Sequence, residues 1–214
     1  MANPKRPKRV SRMFLAQPAS SLAVDLLGTT LARRLSSGLI LRGRIVETEA
    51  YIGVRDRASH AFGGRRTPRN EAMYAKPGTA YVYFTYGMHH CFNVVCAAEG
   101  DPQAVLIRAA EPVEGLAPMR ELRGLRADAP SRALASGPAR LCDAFAIDRS
   151  LNGIDLLTSD ELWLEPAEHP VRRPTRTPRI GVDYAGHWAR RLLRFVDPES
   201  DHASRPRKRR HQPR

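Results

Sequence analysis

Residues 80–95 read AYVYFTYGMHHCFNVV, in which two β-prone runs flank a Tyr86-Gly87 pair. Aromatic and β-branched side chains favour strands, and a glycine between two such runs is typical of a tight turn. The stretch therefore predicts a β-hairpin with its turn at Tyr86-Gly87. Side chains alternate along a strand, so Tyr81 and Tyr83 are expected to share one face of the hairpin.

The segments on both sides of this hairpin predict one mixed domain. Strands are predicted in the apolar and β-branched runs at 29–35, 38–49, 103–110, 162–164, 180–182 and 192–196. Helices are predicted at 21–27, 118–126 and 137–147. The Pro- and Arg-rich stretch 166–178 is expected to be a surface loop. Together these elements predict an α+β fold: a single domain with a largely antiparallel curved sheet, peripheral helices and a protruding β-hairpin.

The composition sets the class of protein. The chain has 214 residues, of which 42% are hydrophobic, enough for the core of one domain. No apolar run approaches the roughly 20 residues needed to cross a bilayer. The basic N-terminus is not followed by the apolar core of a signal peptide. We therefore expect a monomer without membrane contact that is cytoplasmic and nucleoid-associated.

The three cysteines, Cys91, Cys96 and Cys142, lack the short C-x-x-C spacing of metal or redox motifs. Buried free thiols are the favoured interpretation. Cys91 follows His89 and His90, so a zinc site is the alternative, but no second cluster has ligand spacing. We expect no metal and no organic cofactor.

The formal net charge of +13 lies mainly at the two ends of the chain. Residues 1–12 carry +5 and residues 203–214 carry +6, both without acidic residues, which leaves +2 for the body. This pattern predicts basic disordered tails at 1–14 and 199–214 around a domain at 15–198. Solvated tails would account for the charge, and salt-sensitive attraction to phosphate is the functional alternative.

Two carboxylates lie at the end of a predicted strand, in the stretch VETEAY at 46–51. Alternation places Glu47 and Glu49 on one strand face, just before a Gly-rich loop that contains His60. Two carboxylates on one strand face are usually solvated. The alternative is a catalytic carboxylate held on a rigid strand opposite a loop.

Several aromatic residues suggest contacts with a nucleobase. Tyr83 could stack on a planar base together with Tyr51 and His60, although core packing is the simpler interpretation of any one tyrosine. Tyr86 is expected at the hairpin tip with Met88 beside it. A bulky side chain there could wedge between base pairs, or it could face a protein partner.

Arginines occur where a DNA backbone could be held. Those of the Gly-rich loop could clamp phosphates or simply be solvated: Arg65, Arg66 and Arg69. The helix expected to begin at Ser136-Gly-Pro could hold a phosphate with its free N–H groups and Arg140.

Taken in order, these motifs resemble the alkyladenine (3-methyladenine) DNA glycosylase family. The resemblance runs from about Leu15 to Val196 with similar spacing, and it indicates a bacterial-type member. The matching stretches are VETEAY at 46–51, ASH at 58–60, TPRN at 67–70, KPG at 76–78, YVYFTYGM at 81–88, Asn93, LIR at 106–108 and SGP at 136–138.

The resemblance implies a role for each matching residue at the reacting bond. Glu49 would be the general base that activates water for attack at the sugar C1′. Arg108 would support that water and the adjacent phosphate.

The resemblance also implies how a flipped base would be held. Tyr51, His60 and Tyr83 would enclose the base. Asn93 would crowd out guanine by clashing with its exocyclic amino group, and Tyr86 would fill the vacated stack.

The function implied is that of a monofunctional DNA-3-methyladenine glycosylase that starts base excision repair. Its partner would be double-stranded DNA, from which it would flip 3-methyladenine, 7-methylguanine, hypoxanthine or ethenoadenine and hydrolyse the N-glycosidic bond. A cationic alkylated purine is a good leaving group, so no strong protein acid is required. Glycosylases that also cut the backbone usually need an amine nucleophile, and the body has one lysine, Lys76.

Two other classes of function remain to be weighed. A non-catalytic damaged-DNA binding module would keep the pocket and the wedge but would have no need of Glu49. A zinc deaminase would need an H-x-E motif and a P-C-x-x-C motif, and the sequence has neither.

Overall fold

The computed structural model describes residues 8–85 and 87–204, so Tyr86 and the segments 1–7 and 205–214 lie outside the described residues. Within the described part, eight strands form one sheet: β1 Thr30–Arg34, β2 Ile40–Tyr51, β3 Ala80–Thr85, β4 His89–Cys96, β5 Gln103–Glu114, β6 Leu162–Glu165, β7 Thr175–Thr177 and β8 Arg194–Val196. Five α-helices flank it: α1 Arg12–Leu15, α2 Ala19–Asp25, α3 Leu116–Leu122, α4 Arg132–Ala135 and α5 Pro138–Ala144. The predicted α+β class and antiparallel sheet are confirmed.

The long strand β2 organises the sheet. The strand order is β3-β4-β5-β2-β1-β6, and β8 pairs with both β2 and β7. The first half of β2 pairs with β1, while residues 47–49 pair with β8 on that edge and with β5 on the other. The β2–β5 register shifts on both sides of Glu47, so that Val46 and Arg108 have no direct partner across this pair. Such irregularities re-aim side chains, and this one lies at the two carboxylates singled out from the sequence.

One face of the sheet packs on the helices and forms the main core. The core includes Leu22 of α2, Ile45 of β2, Phe92 of β4 and Phe145 after α5, all without exposed surface. Burying each such side chain contributes about 1.5–3 kcal/mol. Cys91, Cys96 and Cys142 are buried free thiols, as predicted. Among the described helices, none combines the length and the apolar composition needed to cross a membrane.

The local predictions hold where the hydrophobic pattern is strong. The hairpin of β3 and β4 is confirmed on both sides of residue 86, and Gly87 has the positive φ of 69° that a tight turn needs. The strand predicted at 180–182 is wrong, because Gly181 has φ 77° and the chain bends there. The loop predicted at 166–178 contains strand β7, which pairs with the edge strand β8.

Parts of both segments assigned to the tails pack on the body. Val10 donates its N–H to Leu164 at 3.0 Å and is 8% exposed, and α1 follows. At the other end, Ser204 is 9% exposed. Two apolar anchors, Val10 and Leu15, and buried hydrogen bonds at Ser204 hold these short stretches. The remaining tail residues, 1–7 and 205–214, lie outside the described residues.

Candidate active site

One row of residues crosses five neighbouring strands on the face of the sheet away from α2. The register places Tyr81 opposite Asn93, Asn93 opposite Leu106, Leu106 opposite Glu49 and Glu49 opposite Arg194. Directly opposed residues of antiparallel strands point to the same face. The neighbouring Thr48 points the other way and donates its hydroxyl to the Ala23 carbonyl of α2 at 2.6 Å. The row therefore forms the floor of a polar site.

A cavity of about 440 Å³ opens above this floor. Its volume lies in the range of ordinary small-molecule sites. Its walls combine aromatic and polar side chains with apolar ones. They include Arg108 and the four residues predicted for the base pocket, which are Tyr51, His60, Tyr83 and Asn93. The structure thus brings these residues, which are spread over 58 positions of the chain, to one place.

Both strand carboxylates are buried, so the solvated interpretation is wrong for this pair. Glu49 has no exposed surface and does not itself line the cavity. Its Oε2 accepts the Tyr51 hydroxyl at 3.0 Å, and its Oε1 accepts the backbone N–H of Ile180 at 2.8 Å. Tyr51 and Ile180 both line the cavity. The carboxylate therefore lies one hydrogen bond behind the cavity wall.

Arg108 connects the two carboxylates. Its Nε donates to Glu47 Oε1 at 2.8 Å, and its Nη1 lies 3.2 Å from Glu49 Oε1. Burial alone would lower the pKa of Arg108, but Glu49 and Glu47 outweigh it and raise the pKa. Arg108 thus stays charged at the edge of the cavity, beside the carboxylate that the sequence motif marks as the base.

Tyr51 is fixed from two sides. Its hydroxyl donates to Glu49, and the Arg179 guanidinium lies 4.7 Å from the centre of its ring. Burial and the charge of Glu49 raise its pKa well above the usual value, so the hydroxyl keeps its proton. Arg179 does not line the cavity, which leaves the cavity side of the ring for a planar ligand.

His60 is neutral at physiological pH. Its Nδ1 lies 2.7 Å from the Tyr81 hydroxyl. The centre of its ring lies 4.6 Å from the centre of the Tyr83 ring, in an edge-to-face arrangement. Burial, followed by the charges of Arg69 and Arg65, lowers the pKa of His60 to about 4. A neutral imidazole adds no positive charge to a cavity that the motif assigns to cationic purines.

The lowered pKa of His60 predicts a specific acid sensitivity. Between the unfolded value of 6.5 and the folded value of about 4 only the unfolded chain binds the proton, so the free energy of unfolding falls as the pH drops through this window. Because glutamine does not titrate, the free energy of unfolding of His60→Gln should fall less on acidification than that of the wild type, by up to roughly 3 kcal/mol. Urea unfolding at about pH 7 and about pH 4 measures it. Equal acid losses in both proteins would contradict the prediction.

Asn93 is held in one orientation at the floor of the cavity. It is 3% exposed, and its Nδ2 donates to the Tyr81 carbonyl at 3.0 Å. Because the amide is fixed, it cannot turn away from a larger ligand. This rigidity is what a residue that excludes a substituent needs.

The predicted backbone-contact arginines fall into two groups. Arg65 and Arg69 line a second cavity of about 510 Å³ that shares His60 with the first. Arg140 is exposed beside a third cavity of about 720 Å³, which shares Arg108, Pro138 and Ile180 with the first. Arg66 lines none of these cavities; it pairs with Glu71 at 2.5 Å and lies over the Tyr74 ring. Three of the four arginines therefore surround the candidate site.

At the hairpin, Met88 is 68% exposed. Tyr86, two positions earlier in the sequence and predicted as the wedge, lies outside the described residues.

Sequence reasoning missed several groups that complete the site. The Ile180 N–H, Arg194 and Ser204 all contact the carboxylates from segments far along the chain. A buried pair of Asp56 and Arg179 supports Tyr51 from behind. Alternation does indicate Glu47, since it shares a face with Glu49, but no pattern in the sequence names its partners.

Comparison with known proteins settles the family. A family model described as methylpurine-DNA glycosylase (MPG) matches residues 13–201. The chain belongs to the methylpurine-DNA glycosylase family. The resemblance stated from the motifs is therefore confirmed, and the match covers the candidate site from Glu49 to Arg194.

Relatives occur in distant organisms. A human protein named DNA-3-methyladenine glycosylase is 49% identical over 195 residues, which cover 87% of this chain and 65% of the human protein. Its mouse counterpart is 48% identical over 196 residues, with 87% and 58% covered. A protein of Methanocella arvoryzae, named provisionally as a 3-methyladenine DNA glycosylase, is 49% identical over 189 residues, with 88% and 92% covered. The chain thus spans less than two thirds of its mammalian relatives but nearly all of the archaeal one.

Proposed function

We propose that this protein is a monofunctional DNA glycosylase that flips alkylated or deaminated purines out of the duplex and hydrolyses their N-glycosidic bond. The observation that carries the proposal is the buried Glu49 carboxylate behind the wall of an aromatic cavity, with Arg108 beside it. Family membership and the names of the relatives support it.

The cavity suits a purine held between aromatic surfaces. Tyr51 and Tyr83 present rings to it, and base–aromatic stacking contributes about 1–3 kcal/mol per base. Reaching such a site requires the base to leave the helix, because a stacked base exposes neither its faces nor its sugar C1′. Lesions that stack or pair poorly cost less to extrude, which favours damaged purines.

Glu49 is the group proposed to prepare water for attack at C1′. Because its carboxylate has no exposed surface, a water molecule can reach it only by displacing one of its hydrogen-bond partners. Among the described residues, Oε2 has one partner, the uncharged Tyr51 hydroxyl, whereas both Arg108 and the Ile180 N–H hold Oε1. We therefore assign Oε2 as the oxygen that accepts the proton of the water.

Simple hydrolysis is favoured over strand cleavage. Lys76 is the one lysine between residues 9 and 204, and it pairs with Asp155 at 3.1 Å instead of lining the cavity. An amine nucleophile would need to be uncharged and near C1′. Attack by water leaves an abasic site in an unbroken strand.

The purified chain is expected to release 3-methyladenine from methylated duplex DNA and to leave strands that break only after alkali treatment. Chromatography of the released base and a denaturing gel with and without alkali measure this. A lesion panel with 7-methylguanine, hypoxanthine and ethenoadenine then ranks the substrates. Binding without release would favour a damage-binding module, and breaks without alkali would rule out the monofunctional mechanism.

The hairpin tip is proposed to fill the space left by the flipped base. Tyr86→Ala should lower the affinity for a lesion duplex, because the extruded state then loses the side chain that replaces the base. Fluorescence anisotropy with lesion and undamaged duplexes measures the effect, with circular dichroism as the folding control. Equal lesion affinity of both proteins would remove Tyr86 from this role.

A further inference from the structure

Glu47 is a buried, heavily hydrogen-bonded carboxylate on the same strand as Glu49, the proposed general base. It has no exposed surface, and it accepts four donors: Arg108 Nε at 2.8 Å, Arg194 Nε at 2.6 Å, the Ser204 N–H at 2.5 Å and the Ser204 hydroxyl at 2.8 Å. A buried carboxylate is costly unless it is paired in this way. None of the steps proposed for hydrolysis uses Glu47, so its burial next to the floor of the site calls for a reason.

The cluster around Glu47 is electrically balanced. Glu47 and Glu49 supply two negative charges, and Arg108 and Arg194 supply two positive ones, with each side chain at most 8% exposed. Burial would raise the pKa of Glu47, but Arg108 and Arg194 outweigh it and lower the pKa. Glu47 and Arg108 are therefore held in their charged forms, and little solvent is present to screen the four groups from one another.

We propose that Glu47 is a positioning residue that holds Arg108 and offsets the charge of Arg194, so that the cluster acts on Glu49 with one net positive charge instead of two. The inference rests on the proposed function, in which Glu49 accepts a proton from water. A surplus cation near Glu49 would hold it more firmly in its charged form and make it a weaker base. Glu47 prevents this surplus because it pairs with both arginines.

Ser204 closes the cluster from the C-terminal side. Besides its two bonds to Glu47, its carbonyl accepts Arg194 Nη2 at 3.0 Å, and its hydroxyl lies 3.4 Å from Arg108 Nη2. The segment after β8 thus fixes the geometry of both arginines. The four charges are held by β2, β5, β8 and the segment that ends the described chain.

Other charged or titratable groups also face Glu49. Tyr51 lies on the same strand and donates to it, while Arg179 acts from the loop before Ile180 and Cys91 from β4. Arg179 is itself balanced by Asp56. Glu47 differs from these groups because it pairs directly with Arg108, and Arg108 is the cation that pairs with Glu49.

The test compares Glu47→Gln, Arg194→Gln and the double variant in single-turnover release of 7-methylguanine from a duplex. This base carries its positive charge before reaction, so the fall of rate at low pH reports the proton acceptor. A glutamine at 47 can still accept from Arg108 through its oxygen, so the substitution removes the charge and the one bond that Oε2 accepts from the Ser204 N–H. Expected shifts of the acidic limb are roughly one pH unit down for Glu47→Gln and up for Arg194→Gln. In the double variant the acidic limb should return to within about 0.3 pH unit of its position in the wild type. The rate at pH 7 should likewise recover from the roughly tenfold loss expected for Glu47→Gln.

A merely structural role gives a different pattern. In that case the acidic limb stays in place, rates follow thermal stability, and the second substitution makes the loss worse. If Glu47→Gln fails to fold, the upward shift in Arg194→Gln and its reversal in the double variant decide the question. Arg126→Gln is the control, because it removes a positive charge as Arg194→Gln does, but at an exposed position. A wild type without activity refutes the proposed function, whereas an active wild type with unmoved limbs in all variants refutes this inference alone.

Discussion

Replacing Glu49 by glutamine is expected to slow base release by roughly 10²–10⁴-fold while lesion binding is kept, because a positioned general base contributes about this much. The amide is the same size as the carboxylate. Its oxygen can still accept the Ile180 N–H and face Arg108, the two partners of Oε1. Its NH₂ group can donate to the Tyr51 oxygen where Oε2 now accepts the hydroxyl. The variant should therefore fold with the cavity intact and lack only the proton acceptor.

Single-turnover release from a 7-methylguanine duplex measures the rate, and anisotropy on the same duplex measures binding. Glu121→Gln, an exposed change of the same kind on α3, is the matched control and should retain the full rate. Undiminished turnover in the Glu49 variant would refute the proposed mechanism. Loss of binding in step with loss of rate would indicate that Glu49 supports the cavity instead of acting in the reaction.

The sequence predicts this site well wherever local pattern decides the outcome. Alternation in VETEAY correctly places Glu47 and Glu49 on one face, and the β-prone runs around Tyr86-Gly87 correctly predict the hairpin. The motifs also name four cavity residues by position. These inferences succeed because strand periodicity and turn chemistry act over a few residues.

The sequence does not show what the carboxylates pair with. Arg194 and Ser204 reach Glu47 from 147 and 157 positions away. Their contacts depend on which strands become neighbours, and periodicity carries no information on that choice. The same limit explains Arg66: its pairing with Glu71 follows from how the loop turns, not from its basic composition. The burial of two acidic residues on one strand face can be understood only once both arginines are in place.

The other large effect concerns stability. Asp56→Asn is expected to lower the free energy of unfolding by about 3–5 kcal/mol, because it leaves the Arg179 charge buried without its partner. Neither side chain of this pair is exposed, and the bonds between them are 2.5 and 2.8 Å long. The asparagine keeps the shape of the aspartate, so the loss reports the charge and the hydrogen bonds accepted by one oxygen, and not a cavity.

Urea unfolding measures this loss, and Asp128→Asn provides the matched control. Asp128 is 72% exposed where it pairs with Arg126, and solvent screens such a pair, so the midpoint should not move. Adding Arg179→Met to Asp56→Asn should recover part of the stability, since the stranded charge is then gone. A loss below about 1 kcal/mol in Asp56→Asn would contradict the prediction.

Because Arg179 also lies over Tyr51, the single variant should loosen the wall of the cavity, and base release should fall even at temperatures where the chain is still folded.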